Sequence, residues 1–195
     1  DRMEKVVITG LGAISPLGHT AQASWNNAVE GVSGVGPVTL FDASDYMVKI
    51  ACEVKDFHPE TALGAREARR RDRFEQFAAV AAAEAMQQSG LQVGEDNADR
   101  TGVIISSAIG GLNSILDAEH TLQNEGARRI SPFAIPMLMS NGAAGMTGIV
   151  YGLRGPSFSV SSACASGADG IGIAWMLLRA GVIDAALAGA SEASL

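Results

Sequence analysis

The pattern of apolar and polar positions along the chain predicts helices that alternate with short strands. The most regular stretch is 72–89, where apolar residues recur at the spacing of one helical face: Phe74, Phe77, Ala78, Ala81, Ala82 and Ala85. Gly90 follows this stretch and is suited to end the helix. Further helices are predicted at 20–30, 112–123 and 140–150, and the last is rich in small residues that let neighbouring backbones approach.

Short apolar runs bounded by turn residues predict five strands, at 6–9, 48–54, 101–107, 157–160 and 184–190. A further helix at 164–180 carries only Asp169 and Arg179 as charges, which predicts burial on nearly every side. Because strands alternate with helices, we expect an α/β fold in which a mostly parallel sheet packs between helices. No linker interrupts the pattern, so 1–195 is predicted to form one domain.

The composition indicates a folded protein and restricts its partners. Hydrophobic residues make up 47% of the chain and charged residues only 18%, which leaves ample apolar material for a buried core. The net charge of −7 argues against general nucleic-acid binding. No apolar run approaches about 18 residues, and the first residues lack the apolar region of a signal peptide. We therefore expect a soluble, cytoplasmic protein without a membrane span.

The two cysteines, Cys52 and Cys164, are too few for a disulfide framework or a cysteine-based metal cluster, and we expect no metal and no other cofactor. Cys164 falls where the strand at 157–160 gives way to the helix at 164–180. Unpaired N–H groups and the positive dipole at a helix start would favour a thiolate and hold the oxyanion of a tetrahedral intermediate. This position suits acyl transfer through a thioester. A buried cysteine, however, often serves as a small apolar side chain.

Four short segments carry the most specific signal. In order along the chain they are 6–12 (VVITGLG), 130–133 (ISPF), 151–157 (YGLRGPS) and 163–167 (ACASG). Together they resemble the elongating ketoacyl synthases, especially the synthase II type of bacterial fatty-acid synthesis. The resemblance implies the N-terminal half of a thiolase-like fold and a homodimer. It also implies an acyltransferase that performs decarboxylative Claisen condensation with malonyl-acyl carrier protein.

The same resemblance assigns roles to individual residues. It implies that Cys164 is the nucleophile that takes an acyl group from acyl carrier protein, and that its backbone N–H belongs to the oxyanion hole. Ile109 and Phe133 match residues of the acyl pocket, although either would equally fit an ordinary core. A basic patch that docks the acidic carrier protein is implied for five arginines: Arg66, Arg69, Arg70, Arg128 and Arg129. Complementary charge of this kind mainly raises the association rate and fixes orientation.

Without the resemblance, the arginine-rich run 66–73 would also be explained as the solvated start of a helix.

Ketoacyl synthases are much longer than this chain, and the resemblance places the catalytic histidines, a lysine and a glycine-rich loop beyond Leu195. We therefore expect that the chain alone does not complete condensation.

Three other signals are discounted. The run from Gly10 to Ser15 begins like the dinucleotide-binding fingerprint GxGxxG, but Ser15 replaces its third glycine. Cys52 lies in a strand-like run without an acid–base neighbour and is predicted to be packed. The histidines are predicted to be structural or exposed: His19, His58 and His120.

Three alternative classes of protein remain for comparison. A polyketide ketosynthase uses the same chemistry but generally has a serine run where this chain has 165–167 (ASG). A non-catalytic partner such as a chain-length factor would lack the nucleophilic cysteine, which is present here. An α/β-hydrolase with a cysteine nucleophile would need glycine two residues on either side of it, where Ser162 and Ser166 stand.

Overall fold

The order of elements follows the predicted alternation of strands and helices. The computed structural model describes residues 5–195. The helices in this range are α1 (Ala21–Val29), α2 (Pro59–Leu63), α3 (Ala65–Ala68), α4 (Arg73–Ser89), α5 (Leu112–Glu125), α6 (Ala134–Leu138), α7 (Gly142–Tyr151) and α8 (Ser166–Arg179). The strands are β1 (Gly36–Pro37), β2 (Ile50–Ala51), β3 (Thr101–Ser106), β4 (Ser157–Phe158) and β5 (Ala185–Ala190). Two short 3₁₀ helices lie at Ala98–Arg100 and Ala127–Arg129.

The central sheet has the order β4-β3-β5, and both pairings are parallel. Every residue of β3 is buried, and the strand pairs with β5 from Thr101↔Ala185 to Ser106↔Ala190. Val103 and Ile105 of β3 pack with α4 and α7, whereas Gly170 of α8 lies against Ile104 on the opposite face. Helices therefore cover both faces of the sheet, which confirms the predicted α/β class.

Helix α4 forms where its periodicity predicts it, because both of its ends carry local signals. Asp72 is the N-cap and Glu75 completes a capping box, so two N–H groups of the first turn gain acceptors. Gly90 ends the helix in the left-handed conformation. The face that α4 buries includes Phe74 and Ala78, which pack against the small residues of α7.

The prediction of a strand at 6–9 is wrong. This segment forms no strand, and Val7 and Ile8 are 69% and 80% exposed. Gly10 and Gly12 lie so close to α4 that a side chain on either would overlap a backbone carbonyl oxygen of that helix. Within residues 5–195 the segment is held by the side of a helix, and no neighbouring strand supplies the hydrogen bonds that an apolar run needs to become a strand.

Helix α8 differs from its prediction in start and in burial. It begins at Ser166, two residues later than expected, because the chain turns sharply before it. Only one face is buried, at Ser166, Gly170 and Ala174, whereas several large apolar side chains are exposed: Ile171, Trp175 and Met176. Among the described residues, the strands β3 and β5 are the main packing partners of α8, so this charge-poor helix keeps an uncovered apolar side.

The short strands are also shorter than predicted. The run at 48–54 contributes only β2, and the run at 157–160 contributes only β4. Each has a single described pairing partner, which limits how far its ladder extends.

Among residues 5–195, no helix combines the length and apolar character that crossing a membrane requires.

A buried carboxyl group lies at the junction of α4 and α7. Glu75 is 2% exposed; its Oε2 accepts the N–H of Asp72 at 3.1 Å, and its Oε1 has no partner within the described residues. Burial raises the pKa of Glu75 to about 7. The Asp72 carboxylate adds to this rise, while the Asp72 N–H and Arg71 oppose it. The folded protein therefore favours the protonated form of the Glu75 carboxyl group.

This burial predicts a stability that depends on pH. Between the ordinary carboxyl pKa of about 4.5 and about 7, the unfolded chain releases the Glu75 proton while the folded chain retains it. The free energy of unfolding should thus fall by roughly 1–3 kcal/mol as pH rises through this window and level off above it. Glu75→Gln should remove the fall, as measured by chemical denaturation of the intact protein at pH 5 and pH 8. Glu119→Gln, at an exposed site, should leave it unchanged; a fall that persists in Glu75→Gln would contradict this assignment.

Candidate active site

Cys164 lies in the seven-residue connection between β4 and α8, at the carboxyl end of the parallel strands. This edge is where α/β sheets commonly bind their ligands. The side chain of Cys164 is exposed, so it does not act as a small buried apolar residue. The junction between a strand, a cysteine and a helix thus exists as predicted, with the helix beginning two residues after the cysteine.

The turn that carries Cys164 is strained and clamped. Ala163 has φ of +51°, a left-handed conformation that residues with a Cβ rarely adopt. Ser166, which is 3% exposed, accepts the N–H of Ser162 at 3.0 Å and donates its hydroxyl to the carbonyl of Ala163 at 2.7 Å. Two hydrogen bonds from one buried hydroxyl therefore hold the backbone on the amino side of Cys164.

The start of α8 lies next to this turn. Its N-cap is Ala165, which has no side chain able to cap the helix. The first helical turn thus keeps N–H groups without a side-chain acceptor, as expected for a site that stabilises negative charge. Asp169 accepts a hydrogen bond from the hydroxyl of Ser162, which ties the Cys164 turn to the first turn of the helix.

A second loop, 107–111, follows β3 and lies beside the Cys164 turn. The hydroxyl of Ser161 donates to the carbonyl of Ala108 at 3.3 Å, and the N–H of Ser107 donates to Ser159 Oγ at 3.3 Å. Ile109 belongs to this loop, and its side chain is 53% exposed. The structure therefore brings the loop that carries Ile109 next to the loop that carries Cys164.

Phe133 occupies the N-cap position of α6 and is partly buried. Its ring contacts the guanidinium of Arg70, which lies 4.6 Å from the ring centroid. The other end of α6 reaches the loop of Ile109, because the carbonyl of Leu138 accepts the N–H of Gly111 at 3.1 Å. No hydrogen bond or aromatic contact within the described residues joins Phe133 to Cys164 itself.

The predicted docking arginines are mostly exposed. Arg66, Arg69 and Arg128 form no salt bridge with residues 5–195, and Arg129 pairs with Glu125 at 3.3 Å. Arg70 pairs loosely with Glu67 at 3.8 Å while it stacks on Phe133. Because Phe133 follows Arg128 and Arg129 closely along the chain, this stack links the two basic segments.

The remaining arginines of the run 66–73 are structural. Arg71 is buried and pairs with Glu67 at 2.9 Å. Arg73 donates to the carbonyl of Val54 at 2.8 Å and lies over the ring of Phe77. The structure thereby separates two arginines that hold the fold from those that face solvent.

The signals discounted in the sequence are explained by their positions in the fold, but the prediction for Cys52 is corrected. Gly10 and Gly12 contact α4 and leave no space for a dinucleotide phosphate. His19 Nε2 lies 2.8 Å from the carbonyl of Lys55, and the other two histidines, His58 and His120, are exposed. Cys52 is exposed, so the prediction that it is packed is wrong. The strand that was to bury it shortens to β2, which ends one residue before it.

Sequence reasoning missed the polar groups that shape the site. Ser166 and Asp169 are visible near Cys164 in the sequence, but their bonds depend on a left-handed turn that an alanine would not predict. It also missed a shallow groove of about 430 Å³ along α8, lined by Val160, Asp169, Ile173 and Trp175 among others. This groove is mostly apolar and lies directly beside the Cys164 connection.

Solved structures with similar folds define the class of protein. The ishigamide ketosynthase/chain length factor aligns with a TM-score of 0.83 and 26% identity, covering 96% of this chain and 47% of that one. A type II polyketide ketosynthase in complex with its acyl-carrier protein (AntDE:AntF) aligns with a TM-score of 0.81 and 25% identity, covering 96% and 50%. The fold is therefore that of the thiolase-like ketosynthases.

Sequence comparison identifies the family. Residues 3–195 match the family model for the beta-ketoacyl synthase, N-terminal domain. The chain is 42% identical over 192 residues to 3-oxoacyl-[acyl-carrier-protein] synthase 2 of Staphylococcus aureus (strain COL). It is 43% identical over 192 residues to the protein of the same name in Synechocystis sp.. Each alignment covers 98% of this chain and 46% of the relative, so the chain spans about half the length of these curated relatives. The chain belongs to the beta-ketoacyl synthase family.

The clamp on the Cys164 turn yields a testable prediction. Ser166→Ala removes both hydrogen bonds of a buried hydroxyl and leaves the Ser162 N–H unpaired, which should lower the free energy of unfolding by about 1–3 kcal/mol. The amides of 159–165 should then exchange with solvent at least about tenfold faster, as measured by hydrogen exchange of the intact protein. Ser157→Ala, at an exposed position, is the matched control and should change neither quantity. Unaltered exchange in Ser166→Ala would show that the hydroxyl does not hold the turn.

Proposed function

We propose that this protein is an acyltransferase of fatty-acid chain elongation, a 3-oxoacyl-[acyl-carrier-protein] synthase in which Cys164 is the nucleophile. The observation that carries the proposal is the exposed thiol of Cys164 in a clamped turn at the uncapped start of α8. Its relatives of 42–43% identity are named as synthases of this type. We also propose that residues 1–195 form a single domain.

The first step is acyl transfer from acyl carrier protein. The Cys164 thiolate bonds to the carbonyl carbon of the incoming thioester, and the oxyanion that forms faces the backbone N–H of Cys164 and the start of α8. When the intermediate collapses, the bond from that carbon to the carrier sulfur breaks. The carrier leaves as a thiol that takes up the proton lost by Cys164.

The second step is condensation with malonyl-acyl carrier protein. The malonyl group loses carbon dioxide, and the electron pair left on its α-carbon forms a bond to the acyl carbonyl carbon on Cys164. The Cys164 thiolate is then released and reprotonated. No hydrogen bond joins a histidine or lysine of residues 5–195 to the Cys164 turn. We therefore expect that residues 1–195 by themselves do not complete condensation.

We further propose that Ile109 and Phe133 line the space for the acyl chain. Ile109 is supported by its half-exposed side chain on the loop beside Cys164. Phe133 is supported less directly, since α6 joins it to that same loop through Leu138. The apolar groove along α8 offers a further surface for the first carbons of the chain.

Acyl carrier protein is the partner proposed for the basic surface formed by Arg66, Arg69, Arg70, Arg128 and Arg129. Three of these side chains face solvent without an acidic partner in the described range, although the whole chain has a net charge of −7. A similar ketosynthase is described in complex with its acyl-carrier protein, which supports such a surface. An acidic partner would be attracted locally despite the overall negative charge.

We propose a cytoplasmic homodimer. Two free, exposed cysteines are compatible with a reducing compartment. Strand β4 pairs only with β3 within residues 5–195, so its other edge is available to a second copy.

A polyketide ketosynthase is the second candidate, because both similar structures reported above come from ketosynthases outside the synthase 2 group. Identity to these is 25–26%, against 42–43% for the synthase 2 relatives, and this difference favours the fatty-acid assignment. A non-catalytic partner subunit is disfavoured by the presence and exposure of Cys164.

Acylation tests the nucleophile. Incubation of the intact protein with an acyl carrier protein thioester should add the mass of one acyl group, and Cys164→Ala should abolish this gain because it removes the sulfur to which the acyl group is proposed to bond. Cys52→Ala is the matched control: Cys52 is also free and exposed, and its removal should leave acylation unchanged. Acylation that survives in Cys164→Ala would refute the assignment.

Charge reversal tests the docking surface. Arg128→Glu should weaken binding of acyl carrier protein at least about tenfold at low salt, since one attractive charge becomes repulsive. The difference should shrink as salt rises, because exposed charges are screened over about 8–10 Å at physiological ionic strength. Binding is measured by surface plasmon resonance or fluorescence anisotropy, with Lys49→Glu as a control of equal charge change elsewhere on the surface. An equal loss in both variants would point to net charge alone and exclude a local surface.

A further inference from the structure

The carboxylate of Glu192, two residues after β5, binds three groups of the loop that follows β3. Its Oε2 accepts the Ser107 hydroxyl at 3.1 Å, the Ala108 N–H at 2.9 Å and the Ile109 N–H at 3.2 Å. The Ser107 hydroxyl oxygen also accepts the N–H of Gly110 at 2.9 Å. One carboxylate oxygen therefore satisfies consecutive donors along 107–109, and charge-assisted bonds of this kind are stronger than neutral ones.

The opposite side of this loop contacts the connection that carries Cys164. Ser107 donates its N–H to Ser159 Oγ, and the carbonyl of Ala108 accepts the hydroxyl of Ser161. Glu192 is thus linked to the Cys164 connection through a single intervening loop. Since the same carboxylate binds the N–H of Ile109, a shift of Glu192 displaces the backbone that carries the Ile109 side chain.

The backbone at Glu192 is held independently of its carboxylate. The N–H of Ser191 donates to the carbonyl of Ser106 at 2.9 Å and extends the β3–β5 pairing. The hydroxyl of Ser191 donates to the carbonyl of Phe74 at 2.7 Å. These bonds remain when the Glu192 side chain is removed, so its loss should loosen the loop 107–111 without undoing the sheet.

We propose that Glu192 is a positioning residue that holds the loop 107–111 against the Cys164 connection and so determines which acyl chains Cys164 accepts. This inference rests on the proposed acyl transfer to Cys164. Short acyl groups react close to Cys164 and need little of this loop. Longer chains extend past it, and their accommodation depends on where Ile109 lies.

The test compares Glu192→Ala and Glu192→Gln in the intact protein across acyl carrier protein thioesters of increasing chain length. In Glu192→Ala, the ratio of kcat/KM for long to short acyl groups should change at least about tenfold, while the rate with the shortest acyl group stays within about twofold. Glu192→Gln keeps an oxygen that accepts both N–H groups and should restore most of the original ratio. Asp184→Ala is the matched control, because it removes an exposed carboxylate from the other end of β5, where it pairs with Arg100.

Two outcomes would overturn the proposal. One is an equal loss of rate for every chain length, which a purely structural role would produce, and the other is an unchanged profile. Hydrogen exchange gives a readout that does not need activity: amides of 107–111 and of 159–165 should exchange faster in Glu192→Ala, and protection that is unchanged in both segments would also overturn it. If the unmutated protein takes up no acyl group, the proposed function fails, and the exchange experiment still decides whether Glu192 positions the loop.

Discussion

The parallel pairing of β3 with both of its neighbours is the constraint on which the rest of the structure depends. β3 is buried at all six positions, so its backbone N–H and carbonyl groups need hydrogen-bond partners, and the two neighbouring strands with the residues next to them supply these. Because all three strands run in the same direction, their carboxyl ends meet at one edge of the sheet. The Cys164 connection follows β4, the loop of Ile109 follows β3, and Glu192 follows β5. The site is assembled from these three ends, and none of its parts is adjacent to another in the sequence.

The elements that sequence predicts well are those whose signals are local. α4 combines a helical apolar stripe with Asp72 at its start and Gly90 at its end, and its observed limits match the prediction closely. β3 is an uncharged segment with the apolar run 103–105 at its centre, which fits a strand that is covered on both faces. The small residues of α7 likewise predicted a helix that packs closely against its neighbours, because close packing there requires only short side chains.

The predictions that failed depend on partners far away in the chain. The run 6–9 is as apolar as β3, but no strand within the described range pairs with it. The lack of charge in α8 predicted burial on all sides, yet burial is decided by what lies around a helix. The position of Cys164 was predictable from the change between strand and helix. The clamp by Ser166 was not, because it depends on the unusual backbone of Ala163.

The arginine-rich run 66–73 also shows that sequence alone does not predict long-range contacts, here the contacts of individual arginines. Five arginines within 66–73 are indistinguishable by type, yet Arg71 and Arg73 are used inside the fold while Arg66 and Arg69 face solvent. Spacing alone does not disclose why Arg71 and Arg73 differ from the others: Arg71 pairs with Glu67, and Arg73 lies over the ring of Phe77. Arg70 stands between these roles, since it is partly exposed and stacks on Phe133.

The register of β3 also has a consequence for how the protein is made on the ribosome. Thr101 pairs with Ala185, 84 positions further along the chain, so β3 is synthesised long before its second neighbour exists. At a translation rate of about 5–20 residues per second, that interval lasts roughly 4–17 s. During this time Val103, Ile104 and Ile105 form an apolar segment that lacks β5 throughout and lacks β4 as well until residue 158 is made, and a strand with unpaired edges is prone to misassociate. The geometry that later gathers the site at one edge of the sheet therefore makes the nascent chain dependent on protection, and chaperones that bind extended apolar segments are suited to provide it.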